Sequence, residues 1–190
     1  MKRIAIVGMG DSRNDFLAGR LVYESAGILA GCEVWAVNYM AAVVRCDKAV
    51  IMDPLDDAAQ IAAFPYGQVE WLKKSQLPII SCKAVEGFNV EVYPIDEVTK
   101  FFNGFQYFNT SVAYAVALAI TQGATEILLF GVDFTYKDRH FAEAGRACVE
   151  FWLGVAVTRG ISITVAASST LLDQATGREL YGYHLLQKTD

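Results

Sequence analysis

The 190-residue sequence lacks closely spaced cysteines, a long apolar run and an excess of positive charge. The longest apolar run covers residues 112–120 and has 9 residues, whereas a membrane span needs roughly 20. We therefore expect no membrane-spanning segment. The chain has no CxxC pair, so we expect reduced thiols in a cytoplasmic protein rather than disulfides or a metal cluster. The four cysteines are Cys32, Cys46, Cys82 and Cys148.

The charge balance and the composition narrow the class of protein further. Lys and Arg together number 16 and Asp and Glu 21, which gives a net charge of −5. Such a chain has no global basic field that would hold nucleic acid or an anionic membrane. Hydrophobic residues make up 54% and charged residues 19%, which indicates a well-buried core rather than a disordered chain. No linker or repeat is visible, so we predict a single domain over residues 1–190.

Short apolar runs rich in β-branched residues alternate with longer helical stretches. This alternation predicts an α/β fold with a mostly parallel sheet and helices on both faces. The predicted strands cover residues 3–7, 33–37, 49–52, 78–81, 126–130 and 161–165. The predicted helices cover residues 12–30, 55–63, 68–75, 96–102, 110–122 and 143–158.

The first predicted strand runs into a glycine-containing turn, Gly8-Met9-Gly10-Asp11-Ser12. Two glycines let a ligand approach the backbone, and Ser12 is placed to cap a helix whose amides attract phosphate. The motif is not a complete GxGxxG, because Arg13 occupies the place of the third glycine. Both a phosphate-binding turn and an ordinary turn between strand and helix fit it.

Polar side chains follow three further strands, and ligands of parallel sheets bind beyond the carboxyl ends of the strands. Asn38 is a candidate for binding a base or ribose, or an ordinary turn residue, and it stands where an NAD-binding domain carries Asp or Glu. Asp53 follows the third strand, and Asp133 follows the strand at 126–130. Tyr136 and His140 come next, and His140 is a candidate general base or a surface histidine. The only other histidine, His184, has no such context, and we expect a structural role for it.

The aromatic segment 101–108 has two interpretations. It forms core or an oligomer contact, or it offers a platform on which a base stacks. This segment and the apolar composition favour a homo-oligomer, and the sequence leaves the oligomeric state open.

The segment from Asn109-Thr110-Ser111 through an alanine-rich helix to Gly131-Val132-Asp133-Phe134 resembles the core of bacterial sialyltransferases that use CMP-sialic acid. It equally resembles the group that contains archaeal 6-hydroxymethyl-dihydropterin diphosphokinase. Both groups have a Rossmann-like fold, and the resemblance extends over most of the chain. It implies a nucleotide-dependent transferase of either the glycosyl or the diphosphate kind.

The resemblance also implies roles for individual residues. The implied nucleotide site consists of Gly8, Gly10, Ser12, Asn38, Asp53, Thr110, Ser111, Asp133 and Tyr136, with His140 as the catalytic base. In the sialyltransferases an asparagine occupies the position of Asp53. Two aspartates, Asp53 and Asp133, at neighbouring strand ends would share a Mg²⁺ ion and suit ATP as the donor, with Asp133 as a further catalytic residue.

Two other classes of function remain open. One is a binding protein of the same fold that holds a nucleotide or a small phosphorylated ligand without turnover. The other is a nicotinamide-dependent oxidoreductase, which the incomplete glycine motif and Asn38 disfavour.

Overall fold

The computed structural model describes residues 1–23, 27–176 and 183 of the chain, so His184 lies outside the described residues. The strands are β1 (Arg3–Val7), β2 (Cys32–Val37), β3 (Lys48–Val50), β4 (Ile79–Ser81), β5 (Val90–Val92), β6 (Glu126–Phe130) and β7 (Ser162–Val165). The helices are α1 (Arg13–Tyr23), α2 (Ala58–Ala63), α3 (Gln68–Ser75), α4 (Ile95–Phe101), α5 (Ser111–Thr121) and α6 (Arg139–Thr158). Short 3-10 segments lie at Asn38–Ala42 and Leu171–Thr176.

The seven strands form one parallel sheet in the order β5-β4-β3-β2-β1-β6-β7. The chain builds outward from β1 to β5 and then returns to the other side of β1 with β6. This reversal makes the β1/β6 junction the topological switch point, where ligands of doubly wound sheets bind. The predicted α/β, Rossmann-like architecture is confirmed.

Both faces of the sheet are covered, which explains the continuous apolar strands. Alternate residues of β1 point to opposite faces: Ile4 and Ile6 belong to the core under α5 and α6, whereas Ala5 and Val7 belong to the core with Phe16 of α1. All five side chains are 0% exposed. A strand buried on both faces cannot show the alternating pattern of a half-exposed strand, so it reads as an apolar run.

Most element boundaries agree with the sequence predictions, and three differences have local causes. The prediction missed β5, a three-residue edge strand whose last two residues are exposed. It extended α1 to residue 30, whereas residues 27–31 form turns and Gly31 has φ +70°. It began α6 too late, because the carboxylate of Asp138 accepts a hydrogen bond from the Phe141 amide at 3.1 Å and caps the helix one turn earlier.

Within the aromatic segment 101–108, Phe102 is buried and Tyr107 and Phe108 are half-buried, whereas Phe101 and Phe105 are exposed. Phe108 stacks on Tyr114 of α5 and Trp152 of α6, with ring centroids 4.5 and 5.1 Å apart. The indole nitrogen of Trp152 donates to the Tyr107 carbonyl at 2.7 Å. The core interpretation therefore holds for these residues, and Phe108 does not serve as a free stacking platform. None of the helices in the described ranges is both long and apolar enough to cross a bilayer.

Candidate functional site

A cleft of about 370 Å³ opens at the carboxyl ends of β1, β2 and β6, at the switch point of the sheet. Four parts of the chain meet there: the β1–α1 turn, the residue after β2, the first residues of α5 and the segment after β6. Its lining consists of Gly8, Met9, Gly10, Asp11, Val37, Asn38, Thr110, Ser111, Val112, Gly131, Val132, Asp133, Phe134, Thr135 and Tyr136. Asp11 and Asp133 are the charged residues among them, and no basic residue is part of this described lining.

The floor of the cleft is a backbone crossing between the turns after β1 and β6. The Gly8 amide donates to the Phe130 carbonyl, and the Gly10 amide donates to the Gly131 carbonyl, both at 2.8 Å. A Cβ atom at Gly8 would lie 2.5 Å from the Gly131 oxygen, so no side chain fits there. Gly131 itself has φ +66°, a region that favours glycine. The glycines serve this close approach, which extends the β1–β6 pairing past the ends of the strands.

Ser12 and Asp133 stabilise this backbone crossing through buried hydrogen bonds. The Ser12 amide donates to one carboxylate oxygen of Asp133 at 2.8 Å, and the Ser12 hydroxyl donates to the other at 2.5 Å. The same hydroxyl accepts a hydrogen bond from the Gly131 amide at 2.8 Å. Ser12 is 1% exposed and Asp133 6%. The Ser12 hydroxyl is thus used within the protein, and the part of Ser12 in phosphate binding stays a prediction.

Asn38 is one of four described residues with a buried side-chain atom that has no hydrogen-bond partner, and of these four it alone lines the cleft. It directly follows β2, lines the cleft and has φ +52°, a left-handed conformation that asparagine tolerates better than most residues. Its side-chain oxygen is buried, and no group of the described residues donates a hydrogen bond to it. Buried polar atoms without a partner are rare in folded proteins. A hydroxyl or amino group of a bound molecule would supply the donor.

The first turn of α5 forms the wall opposite the glycine turn. Thr110 caps the helix, since its hydroxyl accepts a hydrogen bond from the Ala113 amide at 3.2 Å. Ser111 is the first helical residue, and both side chains line the cleft. The amino-terminal end of an 11-residue helix carries partial positive charge and unpaired amides. The cleft thus has one anion-attracting wall that contains no cationic side chain.

Tyr136 lies at the mouth of the cleft with its ring 51% exposed. It makes edge contacts with Phe134 and Phe141, at centroid distances of 6.3 and 5.1 Å. Partial burial, with Tyr39 and Asp133 nearby, raises the pKa of the Tyr136 hydroxyl. That hydroxyl therefore stays protonated and able to donate a hydrogen bond at neutral pH.

A second pocket of about 380 Å³ adjoins the cleft and shares Asn38, Thr110, Ser111 and Tyr136 with it. We call it the side pocket. It lies toward the ends of β3 and β4. Its remaining lining residues are Met52, Asp53, Cys82, Phe108, Asn109, Tyr114 and Phe141.

The two aspartates predicted to share a metal ion do not lie at neighbouring strand ends. Asp53 follows β3 and Asp133 follows β6, and both β2 and β1 stand between them. Three strand spacings amount to about 14 Å, whereas ligands of one Mg²⁺ ion lie about 2.1 Å from it. Both Asp133 oxygens are also bonded to Ser12. These residues do not fit a shared magnesium ion, and the described residues contain no cluster of three or more metal-ligating side chains.

His140 lies outside the cleft. It is the second residue of α6, is exposed, and lines a third pocket of about 310 Å³ beside Asn109, Thr110 and Phe141. Thr110 lines both this pocket and the cleft. His140 is therefore separated from the cleft by Thr110, the residue that lines both pockets.

The structure thus brings most of the predicted residues to one place. Gly8, Gly10, Asn38, Thr110, Ser111, Asp133 and Tyr136 all line the cleft, Asp53 lines the side pocket, and Ser12 lies beneath the cleft. Sequence reasoning missed Cys82 and Tyr114 as lining residues. Cys82 directly follows β4, so the rule that directs attention to strand ends would have found it; Tyr114 carries no local signal.

Comparison with known proteins finds similarity at the level of fold. No protein-family model and no curated protein matches the chain. The sialyltransferase CstII from Campylobacter jejuni in complex with the substrate analogue CMP-3FNeuAc aligns with a TM-score of 0.55 and 20% identity, over 95% of this chain and 85% of that one. The same enzyme with cytidine-5'-monophosphate gives a TM-score of 0.57 and 19% identity, over 90% and 83%. The sialyltransferase CST-II in complex with a trisaccharide acceptor and CMP gives 0.53 and 18%, over 90% and 84%.

These solved structures share the Rossmann-like fold with the chain. They support a fold of the kind that nucleotide-sugar transferases use, and they give no specific support to the diphosphokinase group.

Proposed function

We propose that the chain is a nucleotide-dependent transferase that binds the nucleoside monophosphate part of its donor in the switch-point cleft. The observation that carries this proposal is that Asn38, whose side-chain oxygen has no hydrogen-bond donor among the described residues, lines the cleft together with the first turn of α5. A ribose hydroxyl or a base amino group would donate to Asn38, and a phosphate would lie at the helix end. The structural neighbours named above bind CMP or a CMP-sugar analogue.

The charges of the cleft favour a monophosphate over a triphosphate. Asp11 and Asp133 line it, and no basic side chain among the described residues does; Arg13, which is not part of the lining, pairs with Asp11 at 3.6 Å. Helix amides and hydroxyls suffice for one phosphate, but each further phosphate adds negative charge that nothing in the lining neutralises. A CMP-linked donor therefore suits the cleft better than ATP, and we propose glycosyl rather than diphosphate transfer.

His140 is the proposed general base. An acceptor in the third pocket would place a hydroxyl near His140, with Thr110 between acceptor and nucleotide. In the proposed step, His140 takes the acceptor proton, the acceptor oxygen bonds to the sugar carbon, and the bond from that carbon to the phosphate oxygen breaks. CMP then leaves with the electron pair of that bond.

The binding part of the proposal is tested with CMP in the presence of EDTA, using a matched pair of variants. Asn38→Gly removes the unpartnered oxygen and keeps the left-handed backbone relaxed. Asn103→Gly does the same at an exposed residue with φ +56°. We expect CMP affinity to fall about five- to tenfold in Asn38→Gly alone, with equal melting temperatures for the two variants. Equal CMP affinity in both, or no CMP binding by the unchanged protein, would refute the proposed site.

One observation favours the second candidate, a protein that binds a nucleotide without turnover: His140 is exposed and lies outside the cleft. His140→Asn separates the two functions. As a general base, His140 contributes roughly 10²- to 10⁴-fold to the rate, so release of CMP from a CMP-sugar should fall by that factor while CMP affinity stays the same. Release that does not change in the variant, or is absent in the unchanged protein with every CMP-sugar tried, favours the binding protein.

A further inference from the structure

The side pocket is where a group attached to the nucleotide would lie. It shares Asn38, Thr110, Ser111 and Tyr136 with the cleft, so the two spaces are continuous around the first turn of α5. A phosphate at that helix end stands at the junction of the two. A nucleotide in the cleft therefore directs whatever its phosphate carries into the side pocket.

The chemistry of the side pocket is specific. Met52, Phe108, Tyr114 and Phe141 give it apolar walls, and Asn38, Asn109, Thr110 and Ser111 supply amides and hydroxyls. This mixture suits a polyhydroxylated ring with one apolar face.

Asp53 is the charged residue of this lining. Its carboxylate makes no ion pair or hydrogen bond with any described residue. Lys83 directly follows the lining residue Cys82, but it pairs with Asp56 at 2.9 Å, and neither residue of this pair lines the pocket. A ligand carboxylate in the pocket would meet a like charge, and the described lining residues include no cation to compensate it.

We infer that the group carried by the nucleotide is a hydroxylated, sugar-like group without a carboxylate, and that Asp53 excludes acidic sugars such as the one in CMP-3FNeuAc. This inference rests on the proposed nucleotide site and adds the class of group that is transferred. It makes the specificity of this chain differ from that of the sialyltransferases whose fold it shares.

A pair of ligands that differ in one charge tests the inference. The substrate analogue CMP-3FNeuAc carries a carboxylate, and its methyl ester carries none. For the unchanged protein we expect the ester to bind about tenfold more tightly than the acid. Asp53→Asn should bring this ratio close to one. Asp56→Asn makes the same charge change outside the pocket, and the tenfold ratio should persist in it.

Cys82 reports which pocket the group enters. It is the exposed cysteine of the described chain and lines the side pocket, whereas Cys32 and Cys46 are partly buried and Cys148 is buried. The ester should slow alkylation of Cys82 by a maleimide more than CMP alone does, as measured by mass spectrometry of the labelled peptide.

The outcomes separate this inference from the proposed function. Suppose that CMP binds. Equal affinities for acid and ester, a ratio that Asp53→Asn does not change, or no added protection of Cys82 would each then overturn the inference. The proposed nucleotide site would remain supported in each case. Absence of CMP binding would overturn both.

Discussion

Asp133 accepts hydrogen bonds from both the amide and the hydroxyl of Ser12, a residue 121 positions earlier in the chain. The pair joins the turn after β1 to the turn after β6 at the point where a ligand would enter. Each turn is thereby held by a partner outside its own segment. The carboxylate of Asp133, which the sequence predicts as a catalytic or metal-binding group, fixes the shape of the cleft floor.

Gly10→Ala should collapse this arrangement. A Cβ atom at Gly10 would lie 2.3 Å from an Asp133 carboxylate oxygen, so the Ser12–Asp133 contact must open. We expect a loss of about 1–3 kcal/mol in the free energy of unfolding, measured by urea denaturation, together with weaker CMP binding. Gly154→Ala is the control, because its Cβ meets nothing within 4 Å and lies in α6. It should stabilise the protein by about 0.5–1 kcal/mol, and a similar loss in both variants would contradict the argument.

Asp133→Asn should weaken the same contact without adding bulk. The amide retains one acceptor oxygen, so either the amide or the hydroxyl of Ser12 loses its partner in a buried place. The expected cost is about 1–3 kcal/mol of stability, again from urea denaturation. Asp11→Asn, at a side chain that is 97% exposed, should change stability by less than about 0.5 kcal/mol. Asp133→Asn with wild-type stability would show that the two hydrogen bonds contribute little.

The position of the cleft could be predicted from the sequence because ligands of parallel sheets bind beyond the carboxyl ends of the strands. Those strand ends can be recognised from local sequence pattern alone. Sequence reasoning placed Gly8, Asn38 and Asp133 correctly at that edge. It did not foresee the contact of Ser12 with Asp133, since the partner of the Ser12 hydroxyl is set by the β1–β6 pairing and not by any neighbour in the chain. It also assumed that Asp53 and Asp133 were adjacent. Their separation follows from the order of the strands, which no local pattern encodes.

Nucleotide affinity should fall as phosphates are added. With Asp11 and Asp133 in the lining and no basic residue among its described members, CMP should bind more tightly than CDP, and CDP more tightly than CTP, in EDTA. Isothermal titration calorimetry at about 50 mM and about 500 mM NaCl tests whether charge repulsion is the cause. Salt screens that repulsion, so the difference in affinity between CMP and CTP should be smaller at the higher concentration. CMP affinity should be the same with Mg²⁺ as with EDTA. Tightest binding by CTP with Mg²⁺ would instead favour phosphate transfer.

Tyr93 should make the protein sensitive to alkali. Burial, and secondarily Tyr114, raises the pKa of the Tyr93 hydroxyl above its ordinary value, and the hydroxyl donates to the Tyr114 carbonyl at 3.1 Å. A pKa raised by folding gives stability that is present below about pH 10 and lost as the pH rises above it. Between about pH 9.5 and 11, Tyr93→Phe should therefore lose less stability than the unchanged protein. Tyr66→Phe, at a fully exposed ring, should follow the unchanged protein.

The contact between the turns at Gly8 and Gly131 also bears on when the protein can first function during its synthesis. A nascent chain that ends before β6 has β1 and β2 but no Gly131 amide for the Ser12 hydroxyl and no carboxylate for the Ser12 amide. The glycine turn, which is made at the start of translation, therefore lacks these contacts until residues 119 to 121 positions after Ser12 have been made. Ribosome-bound fragments that stop short of Asp133 should be unable to retain CMP, however well their first strands have paired.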